Sequence, residues 1–280
     1  MHPTPFTFSH EQITLHVLKV GQGTEVWLAF HGFGQGPEAL LGWAKPLVDH
    51  CTLYLMELPF HGSSHVWAVG APIKANAMGA YFKAFLNANA IEHFSVSGYS
   101  LGGRLALFCA LHFESQITQL CLMAPDGLID RIWYGMATRH APGRWLFKRL
   151  MHNPKPLLAT STWLHKVGLL NASFLKFVQQ PLGDTNMRRQ IYGSWLATSR
   201  LYLRGNKLAS ALQKAPYPII VFYGTYDRVI PFARYRRFLK LMPRAHVVML
   251  PTGHSHLPAA AGAWLENHQS LLLHKAESAA

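Results

Sequence analysis

A serine stands between glycines at Gly98-Tyr99-Ser100-Leu101-Gly102-Gly103, directly behind the apolar run 93–97. A serine hydroxyl is a weak nucleophile until a base can reach it, and a sharp turn can lift it there. G-x-S-x-G between a strand and a helix is the sequence form of such a turn, and side chains at 98 and 102 would collide across it. Alone, the pattern is common by chance. Three further stretches give it weight. Upstream, Phe30-His31-Gly32-Phe33-Gly34 ends an apolar run in a glycine-rich loop. The N–H of Phe33 there and the N–H of Leu101 after the serine are the expected donors to an oxyanion. Downstream, Tyr223-Gly224-Thr225-Tyr226-Asp227 places a carboxylate just past an apolar run, and Gly253-His254-Ser255-His256 places an imidazole past the last one. The order Ser100, Asp227, His254 suits a proton relay. His254 would take the serine proton, while Asp227 fixes the imidazole tautomer and stabilises its charged form. Asp126, in Ala124-Pro125-Asp126-Gly127, is the rival third acid. The spacing of Asp227 to His254 favours Asp227.

For three such distant residues to meet, the strands ahead of them must end on one edge of a sheet. Apolar runs at 51–58, 93–97, 117–124, 218–223 and 246–250 read as strands, several of them buried on both faces. Helical periodicity marks 73–90, 101–113, 231–241 and 256–273, with Met78, Tyr81, Phe82, Phe85 and Leu86 on one stripe. Residues 12–20 alternate, and through Gly21-Gln22-Gly23 they are expected to pair antiparallel with 26–30. Strands alternating with helices predict an α/β fold, a mostly parallel central sheet flanked by helices, with ligands at the C-terminal ends of its strands. Residues 126–215 break the rhythm: they offer no convincing strand, and prolines 142, 154, 156 and 181 cut them into short helical pieces. They are expected to form an all-helical insertion, leaving 1–125 and 216–280 as the core.

The loop His31-Gly32-Phe33-Gly34, the stretch Glu57-Leu58-Pro59-Phe60-His61-Gly62-Ser63-Ser64, the serine turn, 224–231 and Gly253-His254 together resemble the α/β-hydrolase family over nearly the whole chain. Relatives usually show Asp-x-Pro-Gly-His-Gly where Glu57 and Phe60 stand here; that loop is structural. A serine at position 100 is unlike the dehalogenase and epoxide-hydrolase branches, which carry aspartate. The resemblance implies a lid at 126–215 that sets specificity. It also implies hydrolysis of an ester-type small molecule (carboxylic ester, thioester or lactone) through an acyl-enzyme. Two other readings stand beside it. Residues 98–104, Gly-Tyr-Ser-Leu-Gly-Gly-Arg, also resemble the menaquinone-pathway synthases, carbon–oxygen lyases that eliminate pyruvate with the same triad. The third is a non-catalytic ligand-binding protein on the same fold, against which an intact triad argues.

Charge is concentrated. Of 26 Lys/Arg and 13 Asp/Glu, residues 126–215 hold 14 and three. Arg104, Arg131, Arg139, Arg144, Arg188, Arg189, Arg200 and Arg204 are candidates to meet a substrate carboxylate or phosphate, most of them expected on a solvated face. Trp145 and Phe147 beside Arg144, Lys148 and Arg149 suggest peripheral contact with an anionic membrane. Nucleic acid ranks lowest, because no recognition motif accompanies the charge. Cys51, Cys109 and Cys121 fall in predicted core elements and read as reduced thiols, hence a cytoplasmic protein. No apolar run is long enough to span a membrane, and residues 1–6 lack the pattern of a secretory signal. No cofactor and no metal are expected, since no His-x3-His or Cys-x2-Cys pair lies on a predicted helix. The other histidines, including His31, His61, His65 and His256, read as loop hydrogen-bonders.

Overall fold

The computed structural model describes residues 2–67, 70–129, 132–168, 179, 182–201 and 205–268. Arg131 and Arg204, and the end of the helix expected at 256–273, lie outside the described residues. Among those described, nine strands form one sheet: β1 (Thr4–His10), β2 (Ile13–Val20), β3 (Glu25–Phe30), β4 (Cys51–Met56), β5 (His65–Val66), β6 (Phe94–Tyr99), β7 (Ile117–Met123), β8 (Ile219–Gly224) and β9 (His246–Leu250). Their spatial order is β1-β2-β4-β3-β6-β7-β8-β9, with β5 on β2. From β4 to β9 every pair is parallel, while β1, β2 and β5 add an antiparallel edge. Helices among the described residues include α1 (Leu41–Ala44), α2 (Ala75–Ala88), α3 (Gly103–His112), α4 (Ile132–Arg139), α5 (Ala141–His152), α6 (Lys155–Lys166), α7 (Thr185–Thr198), α8 (Gly205–Lys214), α9 (Phe232–Leu239) and α10 (Leu257–Glu266).

The expected hairpin between 12–20 and 26–30 does not form. β4 lies between β2 and β3, and β2 pairs instead with β1, a strand the sequence reading missed. The glycines explain why. A Cβ on Gly21 would sit 2.1 Å from the carbonyl oxygen of Cys51, and one on Gly23 1.9 Å from that of His50. Gly21-Gln22-Gly23 is therefore a tight crossing over the entrance to β4, not a two-residue turn. Every residue of β4, β6 and β8 is buried, as strands covered on both faces require. Trp27 packs on Trp43 of α1, and Phe222 packs on Trp264 of α10, on one face. Phe30 and Phe82 of α2, and Tyr223 and Tyr235 of α9, meet on the other. The three cysteines are unpaired and buried, and burial pushes the Cys51 and Cys121 thiols up to about 12, so none is a ready nucleophile.

The chain divides into two compact units, one of Met1–Trp67, Lys74–Asp130 and Leu201–Ala280, the other of Ala68–Ile73 and Arg131–Arg200. Among its described residues the second unit holds helices and no strand. Pro142 and Pro156 sit in the first turns of α5 and α6, where a missing N–H costs nothing. The Asp184 side chain caps α7 by accepting the N–H groups of Asn186 and Met187. Its centre is aromatic: Trp195 touches Tyr134 and Phe147, and Phe147 also touches Tyr192. Phe147 is thus buried inside the unit and is not part of an exposed patch with Trp145, a correction to the sequence reading.

Candidate active site

The parallel register brings the ends of β3, β6, β7, β8 and β9 to one edge. Phe30 pairs with Gly98, Tyr99 with Met123, Met123 with Phe222, and Gly224 with Leu250. The loops that follow carry Phe33, Ser100, Asp126, Asp227 and His254.

Ser100 adopts φ 51°, a left-handed conformation that costs an L-residue about 1–2 kcal/mol. The glycines around it permit the turn. A Cβ on Gly102 would lie 2.3 Å from the Phe30 carbonyl oxygen, and one on Gly98 2.7 Å from both the Ala106 methyl and the Gly102 carbonyl. The hydroxyl so presented lies 3.0 Å from His254 Nε2, and His254 Nδ1 lies 2.6 Å from Asp227 Oδ2. Asp227 Oδ1 accepts the N–H groups of Val229 and Ile230 at 2.8 and 2.7 Å. Burial alone would raise the Asp227 pKa. The hydrogen bonds from His254, Ile230 and Val229 outweigh it and hold the carboxyl below its ordinary value. Tyr99, the second residue of the serine motif, donates its hydroxyl proton to the His254 carbonyl oxygen at 2.8 Å. Burial, and then the Asp227 charge, raise the phenol pKa, so it stays a donor. No sequence pattern marks that role for Tyr99.

The rival acid is held elsewhere. Asp126 Oδ2 accepts from Arg104 Nη2 at 2.7 Å, and its N–H donates to the Ser100 carbonyl oxygen at 2.7 Å. Arg104 is 3% exposed. Of its two expected placements, reaching toward substrate or packing beneath the turn, it occupies the second. Among the other arginines, Arg144, Arg188 and Arg200 donate to backbone carbonyls of the second unit, and Arg189 is exposed.

Two histidines shape the loop that carries Phe33. His31 Nδ1 bonds the Gly32 carbonyl oxygen at 2.7 Å, and its Nε2 accepts the Leu58 N–H at 3.0 Å. His61 Nε2 accepts the Gly34 N–H at 3.0 Å, and its Nδ1 bonds the Pro59 carbonyl oxygen at 3.2 Å. Each ring therefore accepts through one nitrogen and donates through the other, which only the neutral form can do. Between these fixed neighbours, the Phe33 N–H has no acceptor among the described residues. Leu101 N–H lies in the first turn of the 3-10 segment Ser100–Gly102, where helical N–H groups lack internal partners. Glu57 accepts the N–H groups of Ser63 and Ser64, both at 2.9 Å, and Phe60 takes φ 67° where relatives carry glycine. Among the described residues, no group of three His, Cys, Asp or Glu could hold a metal ion, and no helix is long and apolar enough to cross a membrane.

Burial, and then the neighbouring His61, lower the His31 pKa to about 3; burial lowers that of His61 to about 4. The unfolded chain titrates near 6.5, so their contribution to stability is complete above that pH. It is lost as pH falls from 6.5 toward about 4 and about 3, because the unfolded state binds protons first. Urea midpoints should therefore drop steeply over that window. A His31→Gln/His61→Gln variant should show a visibly flatter pH dependence there; an unchanged slope would contradict the assignment.

A family model described as alpha/beta hydrolase fold matches residues 28–258. The chain belongs to the α/β-hydrolase family. It is 24% identical over 259 residues to a 2-hydroxy-6-oxononadienedioate/2-hydroxy-6-oxononatrienedioate hydrolase of Pseudomonas sp, covering 86% of this chain and 85% of that one. It is 29% identical over 120 residues to the dihydrolipoyllysine-residue acetyltransferase component of the acetoin cleaving system of Cupriavidus necator. That match spans 43% of this chain but only 32% of the relative's length. Among solved structures, an esterase from Thermogutta terrifontis superposes with a TM-score of 0.66 at 16% identity, covering 96% of this α/β-hydrolase chain and 97% of the esterase. Membership of this family supports an enzyme with hydrolytic activity.

Proposed function

We propose that this α/β-hydrolase is a serine esterase of small molecules, acting on a carboxylic ester, thioester or lactone through an acyl-enzyme. The observation that carries the reading is the unbroken hydrogen-bonded chain from Ser100 through His254 to Asp227. Ser100 Oγ attacks the carbonyl carbon as its proton passes to His254 Nε2. The tetrahedral intermediate's oxyanion faces the N–H groups of Phe33 and Leu101, worth about 3–4 kcal/mol per donor. Collapse breaks the bond to the leaving group, which takes the proton back from His254. Water then attacks the acyl carbon with His254 again as base, releasing the acid and regenerating Ser100. The insertion at 126–215 acts as the lid that selects substrate. The name of the Pseudomonas relative specifies a dioate, which supports an anionic group on the substrate here as well.

The lyase reading draws on residues 98–104 and the basic insertion; Arg104, the last residue of that motif, is held in an ion pair with Asp126. A fluorophosphonate probe should label the wild-type enzyme at Ser100, and a panel of esters, thioesters and lactones should yield turnover. Carboxylate-bearing esters should be preferred over neutral ones at low salt. No labelling would leave a binding protein. Pyruvate release from the pathway intermediate, with no ester turnover, would make it a lyase.

A further inference from the structure

The second unit turns a basic, apolar surface to solvent that the chemistry above does not use. Helices α4 and α5 both lean on Trp195 of α7, through Tyr134 and Phe147 respectively. The two helices are neighbours, with Gly143 of α5 against the Met136 carbonyl of α4, and the side of each that is turned from Trp195 is exposed. On α4 that side carries Ile132 and Met136, 82% and 60% exposed; on α5 it carries Trp145 and Leu146, 63% and 50% exposed. Lys148 and Arg149 stand among them, with the Arg149 guanidinium 5.7 Å from the centre of the Trp145 ring. From 131 to 183 the sequence contains no Asp or Glu, so nothing acidic on this stretch offsets the lysines and arginines. A globular protein rarely leaves this much large apolar side chain in water beside uncompensated cations without a partner.

We infer that the α4–α5 surface docks on an anionic lipid bilayer. The chemistry of each group fits that occupant. Ile132, Met136 and Leu146 need a hydrocarbon phase. Trp145 suits the headgroup boundary, and Lys148 and Arg149 suit lipid phosphates. A nucleic acid would use the cations and the indole but gives the three aliphatic side chains nothing to enter. A second copy of the chain would set this basic face against another of its kind.

Flotation of the full-length protein with vesicles tests this, and it requires no catalytic activity, so its outcome is separate from that of the hydrolase reading. Wild-type protein should float with phosphatidylglycerol-containing phosphatidylcholine vesicles at low salt, and far less with phosphatidylcholine alone or at high salt. Trp145→Ser/Leu146→Ser and Lys148→Glu/Arg149→Glu should each weaken binding about tenfold or more, with the circular dichroism spectrum unchanged. In the wild type, brominated anionic lipid should quench part of the tryptophan emission, a readout that needs no variant. The proposal is overturned if flotation ignores lipid charge or both variants. It is equally overturned if the protein binds single-stranded oligonucleotides but not vesicles, or if sedimentation shows a dimer that Trp145→Ser/Leu146→Ser dissociates.

Discussion

Ester turnover by Ser100→Ala is expected to fall by about 10⁴–10⁶-fold, with fluorophosphonate labelling lost altogether. The size follows from the geometry: the Ser100 hydroxyl is the nucleophile end of the hydrogen-bonded relay, and it stands at a turn whose flanking glycines let its backbone hold φ 51°. Alanine keeps that backbone and the packing of Leu101 behind it, so circular dichroism and the thermal midpoint should hardly move. His254→Ala should cost nearly as much. The double variant should be little worse than either single one, because a nucleophile without its base and a base without its nucleophile are equally idle. Retained labelling in Ser100→Ala would assign the nucleophile to another residue.

Asp227→Asn should lower kcat by about 10⁴-fold while leaving the fold intact. An amide at that position can turn its NH₂ toward His254 Nδ1. This favours the tautomer that carries its proton on Nε2, where it blocks rather than accepts the Ser100 proton. Asp126 makes the opposite forecast. Removing its carboxylate in Asp126→Ala takes the ion-pair partner at 2.7 Å from the buried Arg104 guanidinium, a loss of ~3 kcal/mol in stability. The catalytic rate per folded molecule should change far less than in Asp227→Asn. Urea unfolding beside kcat for the two variants separates the roles. Activity lost in Asp126→Ala and kept in Asp227→Asn would reverse the assignment.

Much of the frame was legible before any coordinates. Strands at 51–58, 117–124 and 218–223 were readable because strands buried on both faces demand unbroken apolar runs, and α2 because its stripe repeats at helical spacing. Pairing was less legible. Residues 21–23 read as a hairpin turn because glycines mark tight turns, but these are small so that the chain can cross the entrance of β4. That neighbour lies some thirty residues away, and nothing local announces it. β1 escaped notice for a related reason: as the outermost strand, its hydrophobic alternation is shallow and every one of its residues is exposed or half-buried.

Residue types and their order along the chain were enough to nominate Ser100, Asp227 and His254, to nominate Phe33 and Leu101 as amide donors, and to mark the middle of the chain as basic and helical. Such features are covalent, and a one-dimensional string records them in full. Which carboxylate reaches the imidazole was decided only in three dimensions. Asp126 and Asp227 both follow strands of the same sheet, and folding hands one to Arg104 and the other to His254. The same holds for Phe147, buried against Trp195, and Trp145, left in water two residues earlier. A helix points neighbouring side chains in different directions, and only what packs against it determines which of them stays dry.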